Sequence, residues 1–306
     1  MAQAFFGGVH PHDMKAATNE KAIEQLAPPA VVVIPMSMHF GAPCTPLVKA
    51  GDHVKVGQKI GEFHGLGAPI HASVSGTVKA VEPRPYSMGG NITSVVIEND
   101  MQDEVSEELQ APADPNALSV EEMVEIVKNA GIVGMGGATF PTHVKITSGI
   151  GKVNTVIING AECEPYITAD DALLCSYPEQ IFRGLAALDA ALHPDRRVIA
   201  VEDNKSEAIA ILRRHLPDWP GVELAVLPTR YPQGAEKQLI QAVTGRQVPP
   251  GHLPFSVGCA VFNAGTVAAV YRAVYEGKPV TKRIVTVTGE GVKEPKNLIV
   301  RIGTPF

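Results

Sequence analysis

Short runs of alternating apolar and polar residues dominate the chain from residue 30 to about residue 100. Residues 31–35 are apolar, and residues 47–62 and 68–81 each contain two alternating segments separated by Gly-Asp, Gly-Gln or Ser-Gly turns. Alternation with a period of two is typical of strands that bury one face, and glycine and aspartate are the residues that tight turns require. The pattern therefore predicts a small β-rich domain over residues 30–100.

The pattern changes after residue 118 to one that favours helices alternating with buried strands. Residues 101–118 are acidic and contain prolines, which indicates a linker, and Ser119 followed by Glu121 and Glu122 predicts a helix start that runs to about residue 130. A strand–helix alternation of this kind favours an α/β domain with a parallel sheet. The predicted strands are 153–159, 197–202, 222–227 and 259–263, and the predicted helices are 177–191, 204–215, 234–244 and 265–276.

The two ends of the chain do not share these patterns. Residues 1–29 are polar and rich in turn-forming residues, and we expect them to form an arm that packs on the rest of the protein. Residues 283–289 and 297–302 read as a β-hairpin or as the first strands of a third domain. The expected divisions are therefore 1–29 arm, 30–100 β domain, 101–118 linker, 119–280 α/β domain and 281–306 start of a further β domain.

Charge and composition exclude several classes of function. The net charge of −6 disfavours nucleic acid as a partner, because phosphate binding requires a basic face. No apolar run reaches the roughly 18 residues of a membrane span, and the first residues lack a signal-peptide layout, so we expect a soluble, cytoplasmic chain. The four cysteines form no C-x-x-C pair, and His10 and His12 have no carboxylate-rich neighbours, so no metal site is expected.

Three glycines in a short segment, Gly134, Gly136 and Gly137, provide the strongest chemical signal. Glycine lets main-chain N–H groups approach a ligand with no Cβ in the way, and Lys145 adds a positive charge nearby. A dinucleotide-binding fingerprint is disfavoured, because Thr139 occupies the position of the third glycine and the segment follows a helix. A helix C-cap accounts for one or two of these glycines, whereas a phosphate-bearing ligand accounts for all three.

A second signal lies where predicted strands end. Asn159, Glu162 and Glu164 follow the strand at 153–159, and the carboxyl ends of strands are where open α/β sheets bind ligands. The segments 231–237 and 263–266 also precede predicted helices and are expected at the same edge. Solvated glutamates and ordinary helix caps explain these loops about equally well when each is taken alone. Together with the glycines, they indicate a nucleotide or flavin site.

The β-rich region resembles the biotinyl/lipoyl barrel-sandwich hybrid. The resemblance lies in the segments around Gly51-Asp52 and Gly57-Gln58 and in residues 68–78. Carrier domains of that type present a modified lysine on the hairpin between the two halves, but the corresponding loop, residues 63–67, contains no lysine. A structural role is therefore expected in place of a carrier role.

Nearly the whole chain resembles the C subunit of the Rnf ion-translocating ferredoxin:NAD oxidoreductase complex. The segments that carry the resemblance are 7–11, 68–76, 131–134, 159–165, 231–237 and 301–306. The central domain is also similar to the NADH-oxidising flavin subunit of respiratory complex I. The implied fold class is α+β multidomain, with a barrel-sandwich hybrid domain, an α/β flavin- and NADH-binding domain and the start of a β-grasp domain.

The resemblance implies that FMN and NADH bind in the α/β domain, where a hydride passes between them. It implies that the three glycines and Lys145 surround FMN, that Phe140 lies near the adenine of NADH and that Glu164 lies near its nicotinamide end. The full set of implied cofactor-binding residues is Gly134, Gly136, Gly137, Phe140, Lys145, Asn159, Glu162, Glu164, Tyr231, Gly234, Glu236, Asn263 and Thr266.

The same resemblance implies a longer subunit in a larger assembly. The family carries two 4Fe-4S clusters in a C-terminal domain, so this chain is expected to be the N-terminal part of such a subunit, cut within its β-grasp region. The implied partners are the other Rnf subunits and, indirectly, ferredoxin, at the cytoplasmic side of the bacterial inner membrane. Two alternatives stay open: an NADH-dependent cobalamin reductase of bacterial microcompartments, and a non-catalytic docking subunit.

Overall fold

A computed structural model describes residues 5, 7–108 and 110–306. The described part of the chain contains strands and helices in roughly equal measure. The strands are β1 Glu24–Gln25, β2 Val31–Pro35, β3 Thr45–Pro46, β4 His53–Val54, β5 Lys59–Glu62, β6 Ile70–His71, β7 Gly76–Pro85, β8 Asn91–Asn99, β9 Thr155–Gly160, β10 Arg196–Glu202, β11 Val222–Leu227, β12 Cys259–Asn263, β13 Lys282–Val287 and β14 Lys296–Arg301. The helices are α1 Val120–Asn129, α2 Thr142–Gly149, α3 Ala169–Ser176, α4 Pro178–Leu192, α5 Ser206–His215, α6 Glu236–Thr244 and α7 Ala264–Glu276.

The chain divides into two compact units, each built from several segments. The first unit contains residues 1–24, 144–271 and 284–298, and the second contains residues 25–143, 272–283 and 299–306. The division therefore does not follow the linear order of the chain, and the linear domain bounds stay a prediction. Strands β13 and β14, with the short β1, form a sheet in the order β1–β14–β13. Their assignment to a β-grasp domain also stays a prediction.

The second unit is built on two antiparallel sheets. One sheet has the order β2–β8–β7–β4 and the other has the order β3–β5–β6. Alternate residues of the strands point inward, so that Val32, Ile34, Ile60 and Ile97 join one fully buried core. The alternation predicted from the sequence for residues 30–100 thus produces a sandwich of short strands.

Helix α1 lies in this second unit and begins as the sequence predicts. The Ser119 hydroxyl accepts a hydrogen bond from the main-chain N–H of Glu122, and the Glu122 carboxylate accepts one from the N–H of Ser119. This reciprocal capping satisfies N–H groups that the first helical turn leaves free. The helix ends at Asn129, five residues before the first glycine of the segment 134–137.

The first unit contains a four-stranded parallel sheet in the order β11–β10–β9–β12. From β9 the chain proceeds outward through β10 to β11, and it then returns to place β12 on the other side of β9. The loops after β9 and β12 therefore diverge, and in open α/β sheets such a switch point is where ligands bind. All four strands lie within two residues of their predicted positions.

Two helices of the structure are absent from the sequence prediction. Helix α2, Thr142–Gly149, contains β-branched residues and a terminal glycine, so its helical pattern is weak. Helix α3, Ala169–Ser176, is separated from α4 by Tyr177 alone, and Pro178 opens α4. The prediction of one helix from residue 177 therefore missed the preceding one.

The arm belongs to the first unit through a buried cluster of polar side chains. The Thr18 hydroxyl lies 2.7 Å from the Thr168 hydroxyl, Thr168 donates to Asn297 Oδ1 at 3.0 Å, and Asn297 Nδ2 donates to the Thr18 carbonyl. All three side chains are buried. Since every member has a partner, the cluster joins three distant segments of the chain without an unsatisfied hydroxyl or amide group.

Candidate functional site

The switch point of the parallel sheet brings several of the predicted site residues together. Asn159 is the penultimate residue of β9 and pairs in register with Asn263 at the end of β12. Asn159 Nδ2 donates to the carbonyl of Gly234 at 2.8 Å, while Asn263 Nδ2 donates to the Asp170 carboxylate. Both asparagines are half-buried, so their amide groups are fixed at the sheet edge and accessible from it.

Lys145 lies beside this edge in an ion pair. Its Nζ is 2.8 Å from Glu236 Oε1 at the start of α6, and it donates to the carbonyl of Val261 in β12 at 2.9 Å. Each of the two paired side chains keeps about a third of its surface exposed. A partly exposed ammonium group at a sheet edge can bind a phosphate, because an ion pair in contact with solvent is weak enough to rearrange.

The segment 159–165, which we name the acidic loop, is anchored by a lysine of the arm. Lys15 is buried, and its Nζ donates to the main-chain carbonyls of Glu162, Glu164 and Ile167. Burial lowers the pKa of Lys15, while the neighbouring charge of Glu162 opposes that shift. The buried ammonium group of Lys15 thus fixes the main chain of the acidic loop.

The Glu162 side chain is buried and caps helix α3. Its carboxylate accepts hydrogen bonds from the N–H groups of Asp170 at 2.7 Å and Asp171 at 3.3 Å, in the first turn of α3. Burial and the nearby charge of Asp170 raise the pKa of Glu162 to about 8, against the opposing effect of Lys15. Glu164, two residues later, is exposed.

The glycine loop, residues 134–140, belongs to the second unit and is closed by main-chain hydrogen bonds. The N–H of Gly134 donates to the Phe140 carbonyl at 2.8 Å, and the N–H of Thr142 donates to the Ile132 carbonyl at 3.0 Å. Gly136 and Gly137 are exposed at the tip. Gly137 has a φ of +127° and nothing within 4 Å of the position that a Cβ would take, so the space above it is open.

Comparison with known proteins places both regions in one family. Residues 3–102 match the family model of the RnfC barrel sandwich hybrid domain, and residues 127–272 match that of the Nuo51 FMN-binding domain. The C subunit of the Na+-translocating ferredoxin:NAD+ oxidoreductase complex of Acetobacterium woodii is 46% identical over 99% of this chain. The chain belongs to the RnfC family.

Other relatives agree, and they differ in how much of their length is matched. The C subunit of the proton-translocating complex of Clostridium ljungdahlii is 44% identical, and that of the ion-translocating oxidoreductase complex of Klebsiella pneumoniae is 42% identical. The RnfC-family chain spans 69% of the Acetobacterium protein, 67% of the Clostridium protein and 40% of the Klebsiella protein. The resemblance on which the sequence analysis relied is therefore confirmed.

Solved structures support the fold. The crystal structure of an NAD+-reducing [NiFe]-hydrogenase in the air-oxidised state superposes with a TM-score of 0.52 at 25% identity, covering 61% of this chain and 37% of that one. Its H2-reduced state gives a TM-score of 0.51 at 24% identity. The expected combination of a barrel-sandwich hybrid domain and an α/β flavin-type domain is confirmed.

The remaining predicted residues of this RnfC-family chain lie in different surroundings. Tyr231 is 42% exposed and pairs through its main chain with Val9 of the arm, and Thr266 is buried in the first turn of α7. Gly234 is half-buried, and a Cβ there would meet Cys163 and Ala161 at ordinary contact distance. The structure therefore brings Lys145, Asn159, Gly234, Glu236 and Asn263 to one edge and assigns Glu162 to helix capping.

Two contacts that hold these loops, one in each unit, were missed by sequence reasoning. Lys15 is an isolated lysine in a polar arm, and no local pattern predicts that three distant carbonyls accept from it. Arg283 donates to the carbonyl of Met135 in the glycine loop at 3.2 Å, from a strand 148 residues later. Contacts of such sequence separation leave no periodic signal, so only the folded chain reveals them.

A cavity of about 250 Å³ lies in the first unit, between residues 10–15 of the arm and the loops after β9, β10 and β11. Cys163, Glu202 and Thr229 are among its lining residues. Glu202 is fully buried, its Oε2 accepts no hydrogen bond from the described residues, and burial raises its pKa. Lys205 Nζ lies 3.7 Å from this oxygen. The cavity therefore contains a polar wall that can accommodate ordered water.

Two further features concern metal-binding clusters and membrane-spanning helices in the described part of the chain. Among residues 5, 7–108 and 110–306, no three His, Cys, Asp or Glu side chains are placed to hold a metal ion. None of the helices within these residues is long and apolar enough to cross a membrane.

Proposed function

We propose that this chain is the FMN- and NADH-binding part of a ferredoxin:NAD+ oxidoreductase complex. The observation that carries the proposal is the edge at the sheet switch point, where Lys145, Asn159, Glu236 and Asn263 converge within the segment that matches an FMN-binding domain. Binding at such an edge needs no rearrangement of the sheet, because the side chains are already fixed by hydrogen bonds.

The residues at this edge fit the parts of a flavin nucleotide. The Lys145 ammonium group can exchange its contact with Glu236 for a contact with a phosphate oxygen. Asn159 and Asn263 can donate to and accept from ribityl hydroxyls or a ring edge, since each amide carries both functions. The open space above Gly137 separately lets main-chain N–H groups of the glycine loop approach a phosphate.

The other proposed contacts concern the nicotinamide nucleotide. Glu164 is exposed on a loop that Lys15 immobilises, so its carboxylate can accept hydrogen bonds from the nicotinamide end without ordering the loop first. Phe140 offers an aromatic face for the adenine. Bound FMN would accept a hydride, which is two electrons and one proton, from NADH. The protein would hold the nicotinamide and isoalloxazine rings in contact.

The relatives of this chain suggest the larger assembly in which it works. Those relatives are named as subunits of ion-translocating ferredoxin:NAD+ oxidoreductase complexes. We propose that the chain works within such a complex at the cytoplasmic face of the membrane, with other subunits carrying electrons to or from ferredoxin. Iron–sulfur clusters of those subunits, or of a longer form of this one, would provide the route.

Flavin titration tests the proposal directly. The purified chain should bind FMN at one equivalent, with quenching of flavin fluorescence, and anaerobic NADH should then bleach the flavin absorbance. Lys145→Gln should weaken FMN binding about tenfold, which corresponds to the loss of one charge-assisted contact of about 1.4 kcal/mol.

The matched control is Lys152→Gln, which removes an exposed lysine whose ammonium group lies over the ring of Phe255. This variant should bind FMN as the wild type does. A wild-type chain that leaves FMN fluorescence unchanged would overturn the proposal. Equal weakening by the two substitutions would remove the assignment of Lys145.

A further inference from the structure

In the second unit, the exposed ring of Phe40 lies against the half-buried ring of Phe140, the last residue of the glycine loop. Phe40 keeps 59% of its surface exposed, and its ring centroid lies 6.0 Å from that of Phe140 at an interplanar angle of 37°. A single exposed phenylalanine is common on protein surfaces. Two adjoining rings next to an open glycine surface form a larger apolar platform that a flat ligand can cover.

The main chain holds Phe40 in this position. Its N–H donates to the carbonyl of Thr139 in the glycine loop at 3.0 Å. The following residue, Gly41, has a φ of +130°, and a Cβ there would lie 2.0 Å from the carbonyl oxygen of Leu66. Only glycine permits that approach, so the segment at residues 40–41 is fixed against two other loops of the unit.

The chemistry around the platform indicates a purine nucleotide. Aromatic faces attract the face or edge of a heterocyclic base, with a stacking contribution that mutational studies place at about 1–3 kcal/mol per base. Gly136 and Gly137, four and three residues before Phe140, are exposed, and Gly137 has nothing within 4 Å of the position that a Cβ would take. The main chain of the glycine loop is assigned above to the phosphate of FMN, so the rings are left for a flat heterocyclic base, and the adenine of NADH is the base that the proposed function supplies.

We propose that Phe40 and Phe140 together form the binding site for the adenine of NADH, with Phe40 supplied by the barrel-sandwich domain. This inference rests on the proposed function and adds a substrate-binding residue to it. Phe40 lies in the segment 3–102 that matches the RnfC domain, outside the segment 127–272 that matches the FMN-binding domain. The barrel-sandwich domain would therefore contribute to nucleotide selection and not only to structure.

The test compares NADH with reduced nicotinamide mononucleotide, which lacks the adenosine half. Dissociation constants for both are measured by nicotinamide fluorescence on the full chain, as the wild type and as Phe40→Ala, Phe40→Tyr and Leu47→Ala. Phe40→Ala should weaken NADH binding about tenfold and change the mononucleotide constant by less than about twofold. Phe40→Tyr keeps the ring and should remain within about twofold of the wild type for NADH.

Leu47→Ala is the matched control, since Leu47 is a 52% exposed apolar residue of the same unit. Its constants should equal those of the wild type. Equal weakening of NADH and mononucleotide binding by Phe40→Ala would show that Phe40 acts through loop structure, and unchanged NADH binding would show that the ring is not used. Either result overturns the inference.

The outcome separates this inference from the proposed function. A wild-type chain that binds FMN and NADH while Phe40→Ala has no selective effect loses only the adenine site. A wild-type chain that binds neither FMN nor NADH loses both proposals.

Discussion

The acidic loop and the glycine loop carry the two strongest chemical signals of the sequence, and the fold holds them in opposite ways. The acidic loop is fixed by side chains: Lys15 donates to three of its neighbouring carbonyls, and Glu162 caps α3. The glycine loop is closed at its base by main-chain hydrogen bonds, and its tip, Gly136 to Ala138, is exposed.

This difference gives one loop rigidity and leaves the other accessible. Buried side-chain contacts fix the acidic loop before any ligand arrives, so its exposed Glu164 is preorganised. The glycine loop keeps main-chain N–H groups available, because no side chain covers Gly137. Substitutions in the acidic loop should therefore act mainly on stability, and those in the glycine loop mainly on binding.

Removal of the Lys15 ammonium group should have the largest effect. Lys15→Met leaves three carbonyls without their donor, so we expect a loss of about 3 kcal/mol in the free energy of unfolding. Urea denaturation followed by circular dichroism measures the change.

Lys21→Met provides the comparison, because Lys21 is an exposed lysine of the same arm that donates to one carbonyl, that of Pro295. It should cost less than about 0.5 kcal/mol. If the two substitutions cost the same, the acidic loop is not anchored by its buried lysine.

The titration of Glu162 should make stability depend on pH. Its pKa in the folded protein is raised to about 8, above the value near 4.5 in the unfolded chain, so the folded state holds a proton that the unfolded state releases between these values. The contribution of Glu162 to the free energy of unfolding should therefore be highest below about pH 4.5. It should fall as the pH rises toward 8, by at most about 1.4 kcal/mol per pH unit.

Urea midpoints at pH 5, 6.5 and 8 measure this slope in the wild type and in Glu162→Gln, which should flatten it. Glu164→Gln alters an exposed glutamate of the same loop and should leave the slope as it is. A slope that persists in Glu162→Gln would assign the pH dependence to another group.

The glycine loop should respond to Gly137→Ala in binding more than in stability. Its φ of +127° is one that side-chain-bearing residues rarely adopt, so the substitution should cost about 1 kcal/mol and turn the exposed N–H groups away from their present direction. We expect FMN affinity to fall about tenfold, as measured by flavin fluorescence.

Gly89→Ala tests whether backbone strain alone accounts for a loss of FMN affinity in Gly137→Ala. Gly89 lies in a hairpin turn of the same unit, has a φ of +96° and also has nothing within 4 Å of a Cβ position. Its substitution should cost a similar amount of stability and leave FMN affinity unchanged. Loss of FMN affinity in both variants would contradict a specific role for the glycine loop.

The sequence predicted the elements whose pattern is local. The four parallel strands and the Ser119 cap depend on neighbouring residues, and both were placed within two residues. The position of Asn159 near the end of a buried strand was predicted for the same reason, while its role in binding stays a prediction. The role of Glu162 as a helix cap was not predicted, because α3 itself, which only Tyr177 separates from α4, was missed.

The long-range contacts of the two loops could not be read from the sequence for a physical reason. Lys15 reaches carbonyls about 150 residues away, and Phe40 reaches Phe140 across 100 residues. Such contacts depend on how the sheets and loops fold together, and a single lysine or phenylalanine carries no periodicity that would reveal its partner.

The buried cluster of Thr18, Thr168 and Asn297 has a consequence for how the protein is made. Residue 18 leaves the ribosome first, yet its hydrogen-bond partner at residue 297 is synthesised 279 residues later. At elongation speeds of roughly 5–20 residues per second, about 14–56 seconds pass between the synthesis of residue 18 and that of residue 297. During that interval the parallel sheet can form, but the first unit is completed only when the last strand arrives.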